Sequence, residues 1–401
     1  MNKFRLKIPQ VMSWLVLLLA FFLPISTSLV TVIAIILVGC WLLEGRFSEK
    51  WNEILHHPLC LAVLLYVGLM VLGLGWSDDL PSGLEVIKKH WKIMMIPIFL
   101  TAVRWDWRNR TIASFVFGVA VVMVLNLLNR FELLHYFGID TLEKITLLVN
   151  HIIFTPMLSL SAYFVVHTIL WGENVGRWRW WLVGLASALS CTVFVTLGRA
   201  GQLAYFVLLS LLLFQYFQRN RWRAVLLTLV ASGIIFVTAY HFSPHFQTRF
   251  DKIGQEIATI KSNPETSVGL RLIWWRNSWE IVKQSPWFGV GTGDFDSAYK
   301  AVHQLRTPKV SPTNNPHNNY LYVAIRLGIL GLLSFLGMFA VQLYLANRID
   351  DGWQRARIAF PLFFLTIMLT DSYLVSHGSG FLFSLFCAVL YKKPFVKQEP
   401  V

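Results

Sequence analysis

The sequence predicts an all-α integral membrane protein with about twelve transmembrane helices and one large, helix-containing loop on the non-cytoplasmic side. Three observations predict it. Of 401 residues, 56% are hydrophobic and only 14% charged, whereas soluble domains are about a quarter charged. The apolar residues cluster into runs that approach or reach the roughly 20 residues needed to cross a bilayer. Such runs must be helices, because hydrocarbon offers the backbone no partner. Finally, the basic residues segregate into alternate loops.

The predicted spans are 10–24, 27–43, 58–76, 86–103, 111–129, 150–171, 180–197, 200–217, 223–241, 317–346, 356–375 and 378–391. Lys3, Arg5 and Lys7 precede the first. That run continues past Pro24 without a small-residue cleavage site, so it reads as a transmembrane helix and not a removed signal. The fourth span begins under Lys88, Lys89, His90 and Lys92, which leaves a short apolar stretch from Ile93 and an interfacial start. Trp91, Trp105 and Trp107 suit the headgroup level. Cys40, Cys60, Cys191 and Cys387 sit singly in apolar segments with no metal or disulfide spacing, as small buried residues.

Charge orients the chain. With the N-terminus inside, the cytoplasmic loops and tails hold nineteen Lys and Arg and the opposite short loops hold six. Cytoplasmic loops carry this excess, so both termini are expected inside. Most of the net charge of +14 therefore reports topology and not nucleic-acid binding. The expected organisation is one integrated domain: 1–241 with spans one to nine, 242–316 as the large outer loop, and 317–401 with the last three spans and a cytoplasmic tail. The loop holds nine basic residues. Long loops cross regardless of charge, and a loop of this length is rarely kept without function.

The candidate chemistry lies in and beside that loop. From Leu270 to Lys283 apolar residues recur at helical spacing, with Arg271, Arg276 and Lys283 interleaved with Trp274, Trp275 and Trp279. This is an amphipathic helix suited to a membrane surface, and Arg276 and Glu280 are spaced to pair. Ser285–Pro286 stops it, and Gly289, Gly291 and Gly293 follow. These glycines allow a tight turn or close approach to a ligand; without a βαβ context they are no dinucleotide fingerprint. Asp294 and Asp296 are one isolated D-x-D pair that a divalent ion would fit. Pro316 and His317 then open a helix whose first turn holds Asn318, Asn319 and Tyr320. A helix N-terminus favours anions, and a histidine there can take a proton from a hydroxyl or simply cap. Arg199, in the short outer loop 198–201, is either a bidentate phosphate partner or a snorkelling cation. Arg326 and Asp371 are ionisable residues in apolar segments and call for partners, each other or a loop arginine.

Gly198-Arg199-Ala200-Gly201, the R-x-x-x-W of Arg271 to Trp275, the S-P-W-F-G-V-G-T-G-D-F of Ser285–Phe295 and the P-H-N-N-Y-L of Pro316–Leu321 occur in that order. This arrangement resembles the O-antigen ligase and polymerase superfamily. The resemblance implies a class C glycosyltransferase-like architecture in the bacterial inner membrane with a periplasmic active site. Its ligases transfer a glycan from undecaprenyl diphosphate to a sugar hydroxyl of lipid A–core, in lipopolysaccharide biosynthesis, without nucleotide or metal. By motif match it implies His317 as the catalytic residue and Arg199 and Arg271 as diphosphate ligands. The loop departs from the family pattern in carrying further cations such as Arg249 and Arg276, and Arg276 is taken as an additional diphosphate candidate. Asn318, Asn319, Tyr320, Asp371 and Gly291 are the expected supporting residues. The partners implied are the lipid-linked glycan, lipid A–core and membrane lipids, with no nucleic acid and no cofactor. An O-antigen polymerase and a protein O-oligosaccharyltransferase are the neighbouring readings; a lipid-linked glycan transporter is the reading from another class.

Overall fold

The computed structural model describes residues 3–130, 148–173, 175–259 and 262–393, and among these no strand occurs. Seventeen α-helices follow one another in the described chain: α1 Lys3–Phe22, α2 Thr27–Glu44, α3 Phe47–Leu55, α4 Pro58–Leu72, α5 Leu80–Lys89, α6 Trp91–Ala102 and α7 Arg108–Arg130. Then come α8 His151–Trp171, α9 Arg179–Val195, α10 Arg199–Tyr216, α11 Arg221–Phe242, α12 Pro244–Ala258, α13 Ser267–Gln284 and α14 Phe295–Arg306. The last three are α15 Asn319–Ala346, α16 Gln354–Ile367 and α17 His377–Tyr391. Among the described residues seven stretches are long and apolar enough to cross a membrane, and two further apolar helices, Lys7–Phe22 and His377–Tyr391, are shorter. The cationic positions Lys144 and Lys397 lie outside the described residues.

Hydrophobicity alone does not say what covers a helix. In α17 every residue from Gly378 to Tyr391 is buried by protein. In α11 only Ala224 and Ala239 are buried, so its apolar sides are left for lipid. α17 is the axis of the bundle, with Phe360, Phe364 and Phe339 packed on its Phe383 and Phe115 and Phe164 on its Phe386.

Helix ends sort into two sets. At one end Asp351, in the link between α15 and α16, is clamped between Arg108 of α7 and Arg357 of α16. Arg108 also donates to the Val389 carbonyl at 3.0 Å and that of Lys392 at 3.2 Å. Lys50 of α3 pairs with Glu44 of α2 at 2.9 Å on the same end. At the other end lie α5, the link from α9 to α10, the 243–318 segment and the turn between α16 and α17.

Three elements differ from the sequence reading. The fourth span divides at His90 into amphipathic α5 and apolar α6. α3 is a second short amphipathic helix, with Phe47, Trp51 and Leu55 exposed and Lys50 and Ile54 buried; a nine-residue helix is too short to register in a window tuned to spans. α16 ends at Ile367, which leaves Asp371 in a turn and not inside a span.

α15 is broken. Gly328 has φ 62° and ψ −155°, outside the helical region. The break exposes backbone groups that the S-P-W-F-G-V-G turn satisfies. Val290 N–H donates to Ile325 O at 2.8 Å and Gly291 N–H to Arg326 O at 3.1 Å; Ile329 N–H returns to Pro286 O at 2.8 Å. The close approach requires glycine on both sides. A Cβ on Gly289 would lie 2.4 Å from the Arg326 carbonyl carbon, and one on Gly328 2.3 Å from that of Trp287. Arg326 lies in the last turn before the break. It is 4% exposed, donates to Tyr322 O at 3.1 Å and sits 3.8 Å from the Tyr322 ring centroid. A cation there suits the negative end of the half-helix 319–327. Arg326 therefore does not pair with Asp371.

Candidate functional site

The half-helix 319–327 is fixed at its N-terminus residue by residue. Asn318 is the N-cap, its Oδ1 accepting from Tyr320 N–H at 3.0 Å and Leu321 N–H at 3.1 Å. A side-chain cap of this kind satisfies donors that the first turn leaves orphaned. Its Nδ2 donates to Leu369 O at 3.1 Å. Asn319 N–H donates to Met368 O at 3.0 Å, and its Oδ1 accepts from Leu374 N–H at 3.2 Å. Tyr320 OH donates to Leu365 O at 2.6 Å. Three consecutive polar residues thus stitch the start of α15 to the end of α16 and the turn after it.

That stitching places His317 against Asp371, with Nδ1 3.1 Å from Oδ1. His317 has φ 49°, rare for a residue with a side chain. Asn315 holds this conformation by accepting from His317 N–H at 3.0 Å, while Ser372 Oγ donates to the same Asn315 oxygen at 2.8 Å. The imidazole stacks on Trp274 of α13, centroids 5.2 Å apart. Trp274 in turn donates to Ser311 O at 3.1 Å, so α13 is tied to the stretch of chain leading into His317. Burial alone would raise the Asp371 pKa. The hydrogen bond from His317, its charge, the Ser372 N–H and nearby Arg271 outweigh this and hold the carboxyl below the usual carboxylate range. With the Nδ1 proton engaged by Asp371, Nε2 is the free ring nitrogen, the arrangement that orients a histidine as a base.

Beside this pair lies a cavity of about 240 Å³ lined by Arg199, Arg249 and Arg271, with Asp371, Tyr373 and His151. Each arginine comes from a different helix. Arg199 opens α10, where Gly198 and Gly201 bring the backbone close to Thr155 of α8. Arg249 comes from α12. Arg271 comes from α13, three residues before Trp274 and so on the same face. Nη2 of Arg199 is buried without a hydrogen-bond partner among the described residues. A buried guanidinium nitrogen left open beside two other guanidiniums is arranged for an anion from outside the chain.

The other candidates fall elsewhere. Arg276 is exposed and does not line the cavity. Glu280 does not bond with it: Glu280 pairs with Lys283 at 2.7 Å and with Arg306 at 3.1 Å. Gly291 belongs to the turn that clasps α15, not to a ligand cradle. Asp294 accepts from the backbone N–H of Asp78 at 2.9 Å and of Asp79 at 2.8 Å, so it tethers the turn to the start of α5; Asp296 is exposed. Arg249, Trp274 and Asn315 complete the site. Only membership of a cation-rich outer loop marks Arg249 in the sequence, and nothing marks Asn315.

Residues 184–336 match the family model described as O-antigen ligase. That stretch contains Arg199, Arg249, Arg271, the clasp and His317. That match covers less than half of the chain, and over it the chain is similar to the O-antigen ligase and polymerase superfamily. An uncharacterized protein of Haemophilus influenzae is 28% identical over 144 residues, which are 34% of this chain and 36% of that protein. The chain thus spans about a third of that relative's length. The seven stretches long and apolar enough to cross a membrane, together with this similarity, make the chain a membrane protein. Asp371 and the turn that bears it lie beyond the matched stretch.

Proposed function

We propose that this chain is an O-antigen ligase of the bacterial inner membrane, with about twelve spans, both termini cytoplasmic and the site on the periplasmic face. In this reading it transfers a glycan from undecaprenyl diphosphate to a sugar hydroxyl of lipid A–core. The observation that carries it is the convergence of Arg199, Arg249 and Arg271 on one cavity beside the His317–Asp371 pair. A diphosphate is the leaving group that three guanidiniums suit. They hold it in the ground state and stabilise its charge as the anomeric C–O bond breaks. His317 Nε2 takes the proton of the acceptor hydroxyl as that oxygen bonds to the anomeric carbon. Undecaprenyl diphosphate leaves from the opposite face, so the anomeric centre inverts. Asp371 holds the tautomer and stabilises the imidazolium that forms.

The test is transfer by purified full-length protein in detergent, with undecaprenyl-diphosphate-linked glycan, lipid A–core, EDTA and no nucleotide. A mass-shifted lipid A–core is expected. Longer lipid-linked glycan in its place would make the protein a polymerase; no product of either kind would sink the ligase reading and leave the protein-acceptor and transporter readings.

A further inference from the structure

Lys92 is a buried cation for which the proposed reaction has no use. It is the second residue of α6 and only 5% exposed. Among the described residues its ammonium makes no hydrogen bond or ion pair, and the nitrogen itself is not fully enclosed, so it opens onto the surface. A lysine whose stem is buried and whose ammonium reaches the surface presents its charge to what lies outside the chain. Its stem crosses the first turn of α17: a Cβ on Gly380 would come within 3.1 Å of both Cδ and Cε of Lys92. A glycine at that position is what admits the side chain.

The surroundings are cationic. His377, the first residue of α17, lies within electrostatic reach of Lys92, and so does Lys89 at the end of α5. Nε2 of His377 is 2.8 Å from Thr31 Oγ1 of α2, while its Nδ1 is buried without a partner among the described residues. α6 and α17 both begin here, and neither N-cap, His90 or Ser376, makes a side-chain cap bond. Two helix N-termini, an unpaired ammonium on a buried stem and a half-satisfied histidine therefore meet, with no carboxylate of the described residues bonded among them; Glu85 is paired with Lys89 on the exposed side. The group that complements this cluster is an anion.

Its source follows from position. The cluster is at the end of the bundle that carries His317, and the turn bearing Asp371 runs directly into His377. Trp91 packs edge-on against Phe381 at 5.0 Å, and amphipathic α5 exposes Leu80 and Leu84 beside it. These are features of a helix bundle at headgroup depth. We infer that Lys92 and His377, at the joined N-termini of α6 and α17, bind the phosphate group of an anionic lipid headgroup. The site stands on its own geometry and needs only the membrane placement, not the ligase chemistry.

The test is lipid binding by full-length protein in neutral detergent, read by native mass spectrometry with phosphatidic acid as the probe and diacylglycerol as the phosphate-free control. Lys92→Met should bind phosphatidic acid about tenfold more weakly, the loss of one charge-assisted contact, with diacylglycerol unchanged. Lys92→Arg should restore most of the affinity. Competition by inorganic phosphate would assign the site to the phosphate alone; binding indifferent to it would assign it to a headgroup held also by its tails. Equal phosphatidic acid binding by wild type and Lys92→Met would overturn the inference. Should Lys92→Met not be recovered folded, His377→Gln is read in the same way, and equal binding there overturns it too.

Discussion

Arg249 and Arg276 are both loop arginines, and the sequence offers little to separate them. Helix faces separate them. Arg249 of α12 reaches the cavity that Arg199 and Arg271 line, and Arg276 is exposed. Arg249→Ala should therefore cost at least about a hundredfold in transfer, the scale of removing one donor to developing charge. Arg276→Ala should stay within about threefold, the scale of an exposed cation. Reversed magnitudes in a single-turnover assay would return Arg276 to the site. Asp371 makes a separate claim. Its lowered pKa means that its contribution to stability is present above the ordinary carboxylate range and lost as pH falls through the lowered value. The difference in melting temperature between wild type and Asp371→Asn should be full at neutral pH and shrink below about pH 4. A difference that does not vary with pH would mean that the carboxylate charge is not what holds His317. His317, Arg199 and Arg271 are legible in the sequence because each belongs to a short local motif. Arg249 and Asn315 are not, because what makes them part of the site is the folding of distant elements onto one another.

At the scale of elements the glycine-rich turn shows how a motif can be found and misjudged. Gly289 and Gly291 are spaced as well for a ligand as for a turn, and their backbone partners, Arg326 and its neighbours in α15, are far along the chain. No local pattern announces that pairing. The break at Gly328 gives these glycines a structural role, since they let two backbones pair where side chains would collide. Gly289→Ala would set a Cβ 2.4 Å from the Arg326 carbonyl carbon, and φ 71° strains any side chain. It should destabilise the protein by about 1–3 kcal/mol or more and lower activity with it. Gly254→Ala in α12, where a Cβ would meet nothing within 4 Å, is the control and should leave activity unchanged and stability equal or slightly raised. Melting curves of the two variants decide it; an unaffected Gly289→Ala would mean that the clasp is incidental to α15. Apolar runs reveal spans at this scale because twenty-residue hydropathy is a strong signal. The amphipathic α3 and α5 escape it because their apolar faces are only two or three residues deep.

Across the whole molecule, charge and geometry arrive at the same two ends by independent routes. The count of loop cations places Arg108, Arg357 and Lys392 together, and the structure gathers them around Asp351 and the end of α17. The opposite end gathers the residues proposed for chemistry. On the positive-inside reading, α14 faces the periplasm and the link between α10 and α11 faces the cytoplasm. Leu305 of α14 is 87% exposed, and Gln218 in that link is exposed as well. With the four native cysteines replaced, Leu305→Cys should react with a membrane-impermeant maleimide in intact spheroplasts, and Gln218→Cys only after the membrane is opened. The converse pattern would turn the molecule over. It would leave the helix packing untouched, yet put the three arginines and His317 on the side where nucleotide sugars, and not lipid-linked glycans awaiting ligation, are found. Labelling of both without permeabilisation would mean that an even number of crossings separates the two positions, and the spans between them would have to be redrawn. Because the arginine cavity and the His317–Asp371 pair stand or fall together on one side of the bundle, this single pair of labels decides whether the proposed donor has access to them.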